Sequence, residues 1–331
     1  MKIIITGATG FIGRNLAESL HDEGNQITAT GRSRQVGNQL IKRGIEFTAC
    51  DILDQDSLKS AFSAADLLIH CAGRTADRGS YSEFYQVNVV GTRNVIDACR
   101  QNDISRIIFI STPSVYYSGS DRFNVTESEP LPRKQFPYGK TKLIAEEELQ
   151  SAAKEGISSI ILRPRAVYGR YDGTIVPRIL ELSAGKKFPL INGGEAMVDI
   201  TCIENLASAI RNCLAAPVSS WNQVYNISNG DPVSVREWFS TVLDIFNRPF
   251  RPKNIPGPLA YGFAGVMEFL SKMSQGRIKP AMTRFSVGYM SRSLTMSIEK
   301  ARQKLGYRPG ISNREGFLRY REWLEEQKES E

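Results

Sequence analysis

The segment that most limits what this chain can become is Thr6-Gly7-Ala8-Thr9-Gly10-Phe11-Ile12-Gly13, which follows a short apolar run and opens a helical pattern. Ile3–Thr6 reads as a buried strand, and Phe11–Glu23 reads as a helix stopped by Gly24. In such a strand–turn–helix unit each glycine has its own task. Gly7 permits the tight turn, Gly10 lets backbone N–H groups approach a pyrophosphate, and Gly13 lets helix and strand pack closely. The open donors of a helix N-terminus complete an anion cradle, with Thr9, Phe11 and Ile12 in the same turn. A glycine triplet alone is a weak signal, but here the flanking strand and helix agree with it.

The same alternation continues through the N-terminal half. Further strands are predicted at Gln26–Thr30, Glu46–Ala49, Asp66–Cys71, Arg106–Ile110 and Ile157–Leu162. Helices are predicted at Val36–Arg43, Ser57–Phe62, Tyr81–Gln101 and Tyr138–Glu155. Strands and helices in alternation imply an α/β fold, a Rossmann-type doubly wound parallel sheet with both faces covered. After Arg163 glycine and proline become frequent and strands sparse. The reading is a dinucleotide-binding domain over 1–165 and a smaller, mostly helical substrate lobe over 166–331, with the chain returning to the sheet at about 197–227.

Composition narrows the function. The five Cys and two His have no metal-ligand spacing, which argues for reduced cytoplasmic thiols and against a metal site. The N-terminal apolar run breaks at Gly7, too early for a signal peptide, and no run approaches the roughly 18 apolar residues of a membrane span. The net charge of +7 serves solubility or attracts an anionic ligand. No basic tract is interleaved with aromatics, so nucleic acid is not expected as a partner.

Strand two runs into Thr30-Gly31-Arg32-Ser33-Arg34, where an NAD site usually has a carboxylate for the ribose 2′-hydroxyl. Arg32 instead suits a 2′-phosphate, so NADP(H) is favoured and NAD(H) is the alternative. Asp51 and Ile52 follow strand three, where an adenine would lie. Among the tyrosines, only Tyr138 has a Lys four residues later, and Pro137 suits a helix start. Positions i and i+4 share a helix face, so Tyr138 and Lys142 point the same way. A fixed ammonium, together with an oxidised nicotinamide, is expected to lower the phenol pKa toward the range of a general acid/base. Thr112, at the carboxyl end of strand five, could hydrogen-bond a substrate carbonyl.

Taken together, these segments resemble the extended short-chain dehydrogenase/reductases. The similarity rests on TGATGFIG, HCAG (70–73), VNVVGTRNV (87–95), STPSVYY (111–117), YGKTK (138–142), LRPRAVYG (162–169) and SIEKARQKLGYRP (297–309). The resemblance implies Tyr138 as acid/base, Lys142 on the nicotinamide ribose and Thr112 as the family's Ser/Thr. It also implies Cys71, Ala72, Gly73, Asn88, Pro164 and Val167 as further cofactor contacts, and Ser114 and Tyr168 as substrate contacts. One branch, the nucleotide-sugar epimerases and dehydratases with tightly bound NAD, is the alternative. Its Asn is Ala166 here, its R-D-[FWY] is Val198-Asp199-Ile200, and its R-x-G-D is missing from Ser291–Met296. LRPRAVYG and VDITCIEN (198–205) sit closer to the 3β-hydroxysteroid dehydrogenases, the sterol-4-carboxylate 3-dehydrogenases and the 2-alkyl-3-oxoalkanoate reductases.

The expected activity is therefore interconversion of a ketone and a secondary alcohol on a hydrophobic small molecule, 3-oxoacyl or sterol-like. Arg165 and Arg178 are the candidate cations for a free carboxylate on it. The apolar stretch 258–270 carries one charge, Glu268, and is flanked by Arg248, Arg251, Lys253, Lys272, Arg277 and Lys279. Thirteen helical residues span about 20 Å, short of a bilayer core of about 30 Å. The stretch could pack on the sheet, cover an apolar substrate or make a peripheral membrane contact. The helices around 81–101 and 138–155 could pair in a homodimer.

Overall fold

Runs of Ile, Leu and Val, separated by helices, assemble into one seven-stranded sheet in the computed structural model, which describes residues 1–63, 65–75, 79–133, 135–185, 187–274 and 282–329. The strands are β1 (Lys2–Thr6), β2 (Gln26–Gly31), β3 (Glu46–Ala49), β4 (Leu67–His70), β5 (Arg106–Ile110), β6 (Ser158–Pro164) and β7 (Gln223–Ile227). Their order is β7-β6-β5-β4-β1-β2-β3, parallel throughout. Successive strand residues point to opposite faces, and both faces here are apolar because both are covered. Ile3, Ile5 and Ile108 pack against Leu16, Ala17 and Leu206 on one side. Ile4, Leu68 and Ile107 pack against Val95, Cys99 and Leu149 on the other. Each such side chain contributes about 1.5–3 kcal/mol on burial. The strand order reverses between β1 and β4, so their carboxyl ends open onto a crevice, the usual ligand position in such sheets.

The second half departs from the expectation of sparse strands. Met197–Val198, Val233–Ser234, Leu294–Met296 and Arg122–Val125 form a four-stranded sheet, and Val167–Tyr168 pairs with Thr201–Cys202. Strands of two to four residues are too short to display an alternating pattern, which is why the sequence hides them. A separate core of Tyr168, Phe188, Trp238, Phe239, Phe317 and Tyr320 holds this half together.

The apolar stretch near 258–270 is a longer helix than expected, Gly257–Met273. It is not a core helix: only Ala260 and Ala264 are buried, while Leu259, Phe263, Val266, Phe269 and Met273 are exposed. Among the described residues no helix is long and apolar enough to cross a membrane. Arg277 and Lys279 lie outside the described residues.

His70 ends β4 in full burial, its Nδ1 2.6 Å from Thr6 Oγ1 and its Nε2 3.1 Å from Thr92 Oγ1. Thr92 gives its own proton to the Asn88 carbonyl, so the imidazole carries its proton on Nε2 and accepts at Nδ1 from Thr6. Burial, with a smaller push from the Lys142 cation, lowers the imidazole pKa to about 3. An unfolded chain protonates the same ring near 6.5, so between those pH values the unfolded state binds more protons. Stability contributed by this residue is full above pH 6.5 and falls by about 1.4 kcal/mol per pH unit as pH drops toward 3. His70→Gln is expected to flatten the acid limb of a urea-unfolding series by about 2–3 kcal/mol between pH 6.5 and 4.5. An unchanged slope would mean that the ring is protonated in the native state.

Candidate active site

The cradle residues are fixed by contacts that leave no room for a side chain. Gly7 has φ +69°, and a Cβ there would lie 2.6 Å from the Ala72 nitrogen. A Cβ at Gly13 would meet the Gly7 carbonyl oxygen at 2.4 Å. The turn is thereby pressed between the Phe11–Asp22 helix and the segment Cys71-Ala72-Gly73 that leaves β4. Gly10 caps that helix without a side-chain acceptor, so the first-turn N–H groups remain open to an anion. The residues present fit a dinucleotide pyrophosphate.

At the adenosine end Thr9 packs against Gly31, where a Cβ would come within 2.5 Å of the Thr9 hydroxyl. Arg32 follows β2, exposed, and its guanidinium lies 3.9 Å from Asp51. The sequence suggested that no carboxylate would stand here; the fold supplies one from the end of β3. Both partners are exposed, so the pair is weak and Arg32 can exchange it for a phosphate. Ile52 is buried against Gly91, where a Cβ would sit 2.5 Å from its side chain.

Thr112 lies just past the end of β5. Its hydroxyl donates to Ser114 Oγ at 3.1 Å and accepts the Ser114 N–H at 3.2 Å, capping the short Pro113–Tyr116 turn. The Pro137–Ala152 helix approaches this turn at Gly139, where a Cβ would meet the Ser114 carbonyl oxygen at 2.7 Å. That contact brings Tyr138 to Thr112. Burial pushes the Tyr138 phenol up to about 12, while its hydrogen bond with Thr112 pulls the other way.

One turn on, Lys142 is buried and donates from Nζ to the Ile110 carbonyl at 2.7 Å, with the Phe109 ring 3.8 Å away. Burial drives its pKa down to about 7, against the opposing pull of Glu146. Lys142 was expected to depress the Tyr138 pKa. Its ammonium is directed at the Ile110 carbonyl of β5, and the groups that act on the phenol are Thr112 and Tyr289. Gly73 joins the two ends of the site, since a Cβ there would lie 3.3 Å from Asn88 Oδ1 and 3.9 Å from Lys142 Nζ. Asn88, in a π-helical turn (Gln86–Val90), donates to Thr141 Oγ1 at 3.1 Å and so ties that turn to the Tyr138 helix.

Pro164 ends β6 opposite Ile227, and Val167 pairs with Thr201, both at the carboxyl edge. Tyr168 is not on the crevice. Its ring stacks on Phe317 at 4.0 Å and its hydroxyl donates to the Asn313 carbonyl at 3.0 Å, which makes it a core residue of the second half. Arg178 is exposed and paired with Glu181 at 2.6 Å.

Sequence reasoning missed the group that anchors the site. Glu146 continues the Tyr138–Lys142 face by one more turn and is buried. It accepts Ser111 Oγ, Arg163 Nε at 3.0 Å and Arg163 Nη2 at 2.5 Å. Arg163 donates its remaining Nη1 to Tyr116, which donates to Asn226 on β7 at 2.9 Å. Burial would lower the Arg163 pKa, but Glu146 holds it above the ordinary value. A cavity of about 710 Å³ is lined among others by Tyr117, Phe136, Tyr261 and Val287. Phe285 and Tyr289 extend its aromatic wall, with Phe136 and Phe285 4.8 Å apart edge to face.

The profile of the NAD dependent epimerase/dehydratase family matches residues 3–228. A 2-alkyl-3-oxoalkanoate reductase of Stenotrophomonas maltophilia is 33% identical over 96% of this chain and 98% of its own length. A decarboxylating sterol-4-alpha-carboxylate 3-dehydrogenase of Mus musculus is 27% identical over 96% of this chain and 89% of its own. Among solved structures, UDP-glucose 4-epimerase of Thermotoga maritima superposes with a TM-score of 0.79 at 21% identity, covering 99% of this chain and 100% of that one, a likeness of fold.

Removing one member of the buried ion pair strands the other charge in a low-dielectric interior. Glu146→Leu is expected to cost about 3–5 kcal/mol in guanidinium unfolding, and replacing Arg163 by Met as well should restore most of that loss. Additive losses in the double variant would mean that the two side chains act independently.

Proposed function

Because the chain belongs to the NAD-dependent epimerase/dehydratase family, the extended short-chain dehydrogenase/reductases, we propose that it is an NADP(H)-dependent oxidoreductase interconverting a ketone and a secondary alcohol on a hydrophobic substrate of 3-oxoacyl or sterol-like type. The observation that carries this reading is the Thr112–Tyr138 pair, whose near neighbours in the chain, Tyr117 and Phe136, form part of the wall of a cavity of about 710 Å³, a size suited to a small ligand. The names of the two relatives, a 3-oxoalkanoate reductase and a sterol-carboxylate dehydrogenase, fit the same chemistry.

A nicotinamide, when bound over the glycine turn, supplies or accepts the hydride. The protein's own residues manage the oxygen. Thr112 turns its hydroxyl from Ser114 to the substrate oxygen, and Tyr138 gives that oxygen its proton during reduction. A phenol with a pKa near 12 is fully protonated at neutral pH, the form a proton donor needs. Lys142, clamped to Ile110, supplies a hydrogen-bonding cation on the cofactor side of the same helix face. Arg32 meets a 2′-phosphate in place of Asp51. The epimerase alternative is disfavoured by Ala166 and by Asp199, whose carboxylate turns inward to Ser228 and the Met296 N–H.

The exposed apolar face of the Gly257–Met273 helix supports a second element, peripheral contact with an anionic membrane surface. Exposed Arg248, Arg251, Lys253 and Lys272 flank that face, and its Tyr261 lines the cavity, so an apolar substrate could pass directly between lipid and site.

Tyr138→Phe is expected to lower NADPH-dependent ketone reduction by about 10²-fold or more while dinucleotide affinity stays within a few-fold. Undiminished turnover would remove Tyr138 from the chemistry. In the same assay Arg32→Ala should reduce the NADPH-over-NADH preference by about tenfold or more. A protein isolated with bound nicotinamide that shows no net turnover of it would favour the epimerase instead. For the membrane element, sedimentation with phosphatidylserine vesicles should pull the protein down, and Phe263→Asp with Phe269→Asp should release it. Binding indifferent to both substitutions would rule that face out.

A further inference from the structure

We propose that Arg165 binds a carboxylate on the substrate, one carried by the carbon next to the reacting carbon, as in a 3-hydroxy or 3-oxo acid. The assignment rests on the ketone/alcohol reading above and adds to it the residue that selects an acidic substrate.

Arg165 is the largest side chain in full burial, 1% exposed, and directly follows β6. The register pairs Ile110 with Leu162, so Thr112 beyond one strand and Arg165 beyond the other share the carboxyl edge that faces the crevice. Two residues earlier Arg163 spends Nε, Nη1 and Nη2 on Glu146 and Tyr116. Arg165 spends none in this way: Nε and Nη1 are buried without a hydrogen-bond partner, and its guanidinium forms no ion pair among the described residues. Where a position serves packing alone, Met or Leu fills the same space without desolvating a charge.

The surroundings cover the guanidinium face but leave N–H groups on its edge unused. The Tyr289 ring stacks on it, with Cζ 3.9 Å from the ring centroid. Tyr289 also lies near enough to the Tyr138 phenol to influence it, so it bridges the arginine and the proton donor. Tyr289 is carried by the Arg284–Ser291 helix, whose Val287 and Gly288 line the cavity. The acidic group that acts on Arg165 is Asp199, and its oxygens are already engaged, Oδ1 by Ser228 Oγ at 3.0 Å and Oδ2 by the Met296 N–H at 2.6 Å. Asp199 therefore tempers the charge of Arg165 without occupying its donors. A substrate whose hydroxyl or carbonyl meets Thr112 and Tyr138 would present a carboxylate two carbons away to Arg165, with its alkyl part in the aromatic cavity.

The test compares a 3-hydroxy acid with its methyl ester at equal chain length, oxidised with NADP⁺ at pH 7. The unaltered protein should favour the acid in kcat/KM by about tenfold or more, the size of a charge-assisted hydrogen bond. Arg165→Met should bring the acid-to-ester ratio close to one, chiefly through KM, and Arg165→Lys should retain part of it. A purely structural arginine would lower both substrates together and leave the ratio unmoved, which would overturn the assignment, as would equal use of acid and ester by the unaltered protein. Should Arg165→Met fail to fold, binding of the acid and of the ester to the unaltered protein with NADPH gives the same comparison, and equal affinities overturn the proposal. Failure of the oxidoreductase reading looks different: neither compound is turned over, while the preference in binding still reports on Arg165.

Discussion

The buried Glu146–Arg163 pair is the interaction on which the site depends. Helices lie against a parallel sheet through side chains that could slide by a turn at modest cost, so apolar packing alone does not place a catalytic face to within an ångström. Glu146 removes that freedom. It stands two turns from Tyr138 on the same face and takes hydrogen bonds from Ser111, at the end of β5, and from Arg163, on β6. Through Tyr116 and Asn226 the network reaches β7. A buried ion pair is poor evidence for net stability, because desolvation offsets much of the attraction. Its directional demand is a different matter: three strands and one helix must be in register for every donor to be satisfied.

Close backbone approach provides the second constraint. Gly7 and Gly13 bring the phosphate turn against β4 and the first helix, and Gly139 brings the Tyr138 helix against the Thr112 turn. The segment leaving β4 and the Tyr138 helix meet at Gly73, between Asn88 and Lys142. Burial then sets the protonation states: His70 neutral, Tyr138 protonated and Lys142 with a pKa near neutrality. The ammonium of Lys142 is held by a carbonyl of β5 rather than spent on the phenol.

Much of the sheet was legible in the sequence because parallel strands buried on both faces are continuous apolar runs, and three of the helices between them stop at Gly24, Gly44 and Gly156. Glu46–Ala49 and Arg106–Ile110 were read to the residue. The strands of the second half were not, since two to four residues cannot display a period. The Gly257–Met273 stretch was legible as a helix, but the sequence left open whether it packs on the sheet or lies exposed, because a helix apolar on most sides normally belongs to a core. Local motifs located the glycine turn, Thr112 and the Tyr138–Lys142 pair. Tyr168 shares a motif with crevice residues yet turns into the core, since a two-residue strand reverses which side faces the site. Glu146 was within reach of the same i, i+4 argument that found Lys142, extended by one turn. Arg165 could be suspected from its charge, but its unused donors are a property of the folded surroundings.

The central claim is that Tyr138 is the proton-transfer group and that the bound dinucleotide completes its environment. Tyrosine ionisation followed by ultraviolet difference spectroscopy, unaltered protein minus Tyr138→Phe, addresses it directly. Without dinucleotide the account predicts no Tyr138 ionisation below about pH 10, and with NADP⁺ a transition below about pH 9, as an added neighbouring cation lowers a phenol pKa. A transition at the same pH with and without NADP⁺ would contradict it.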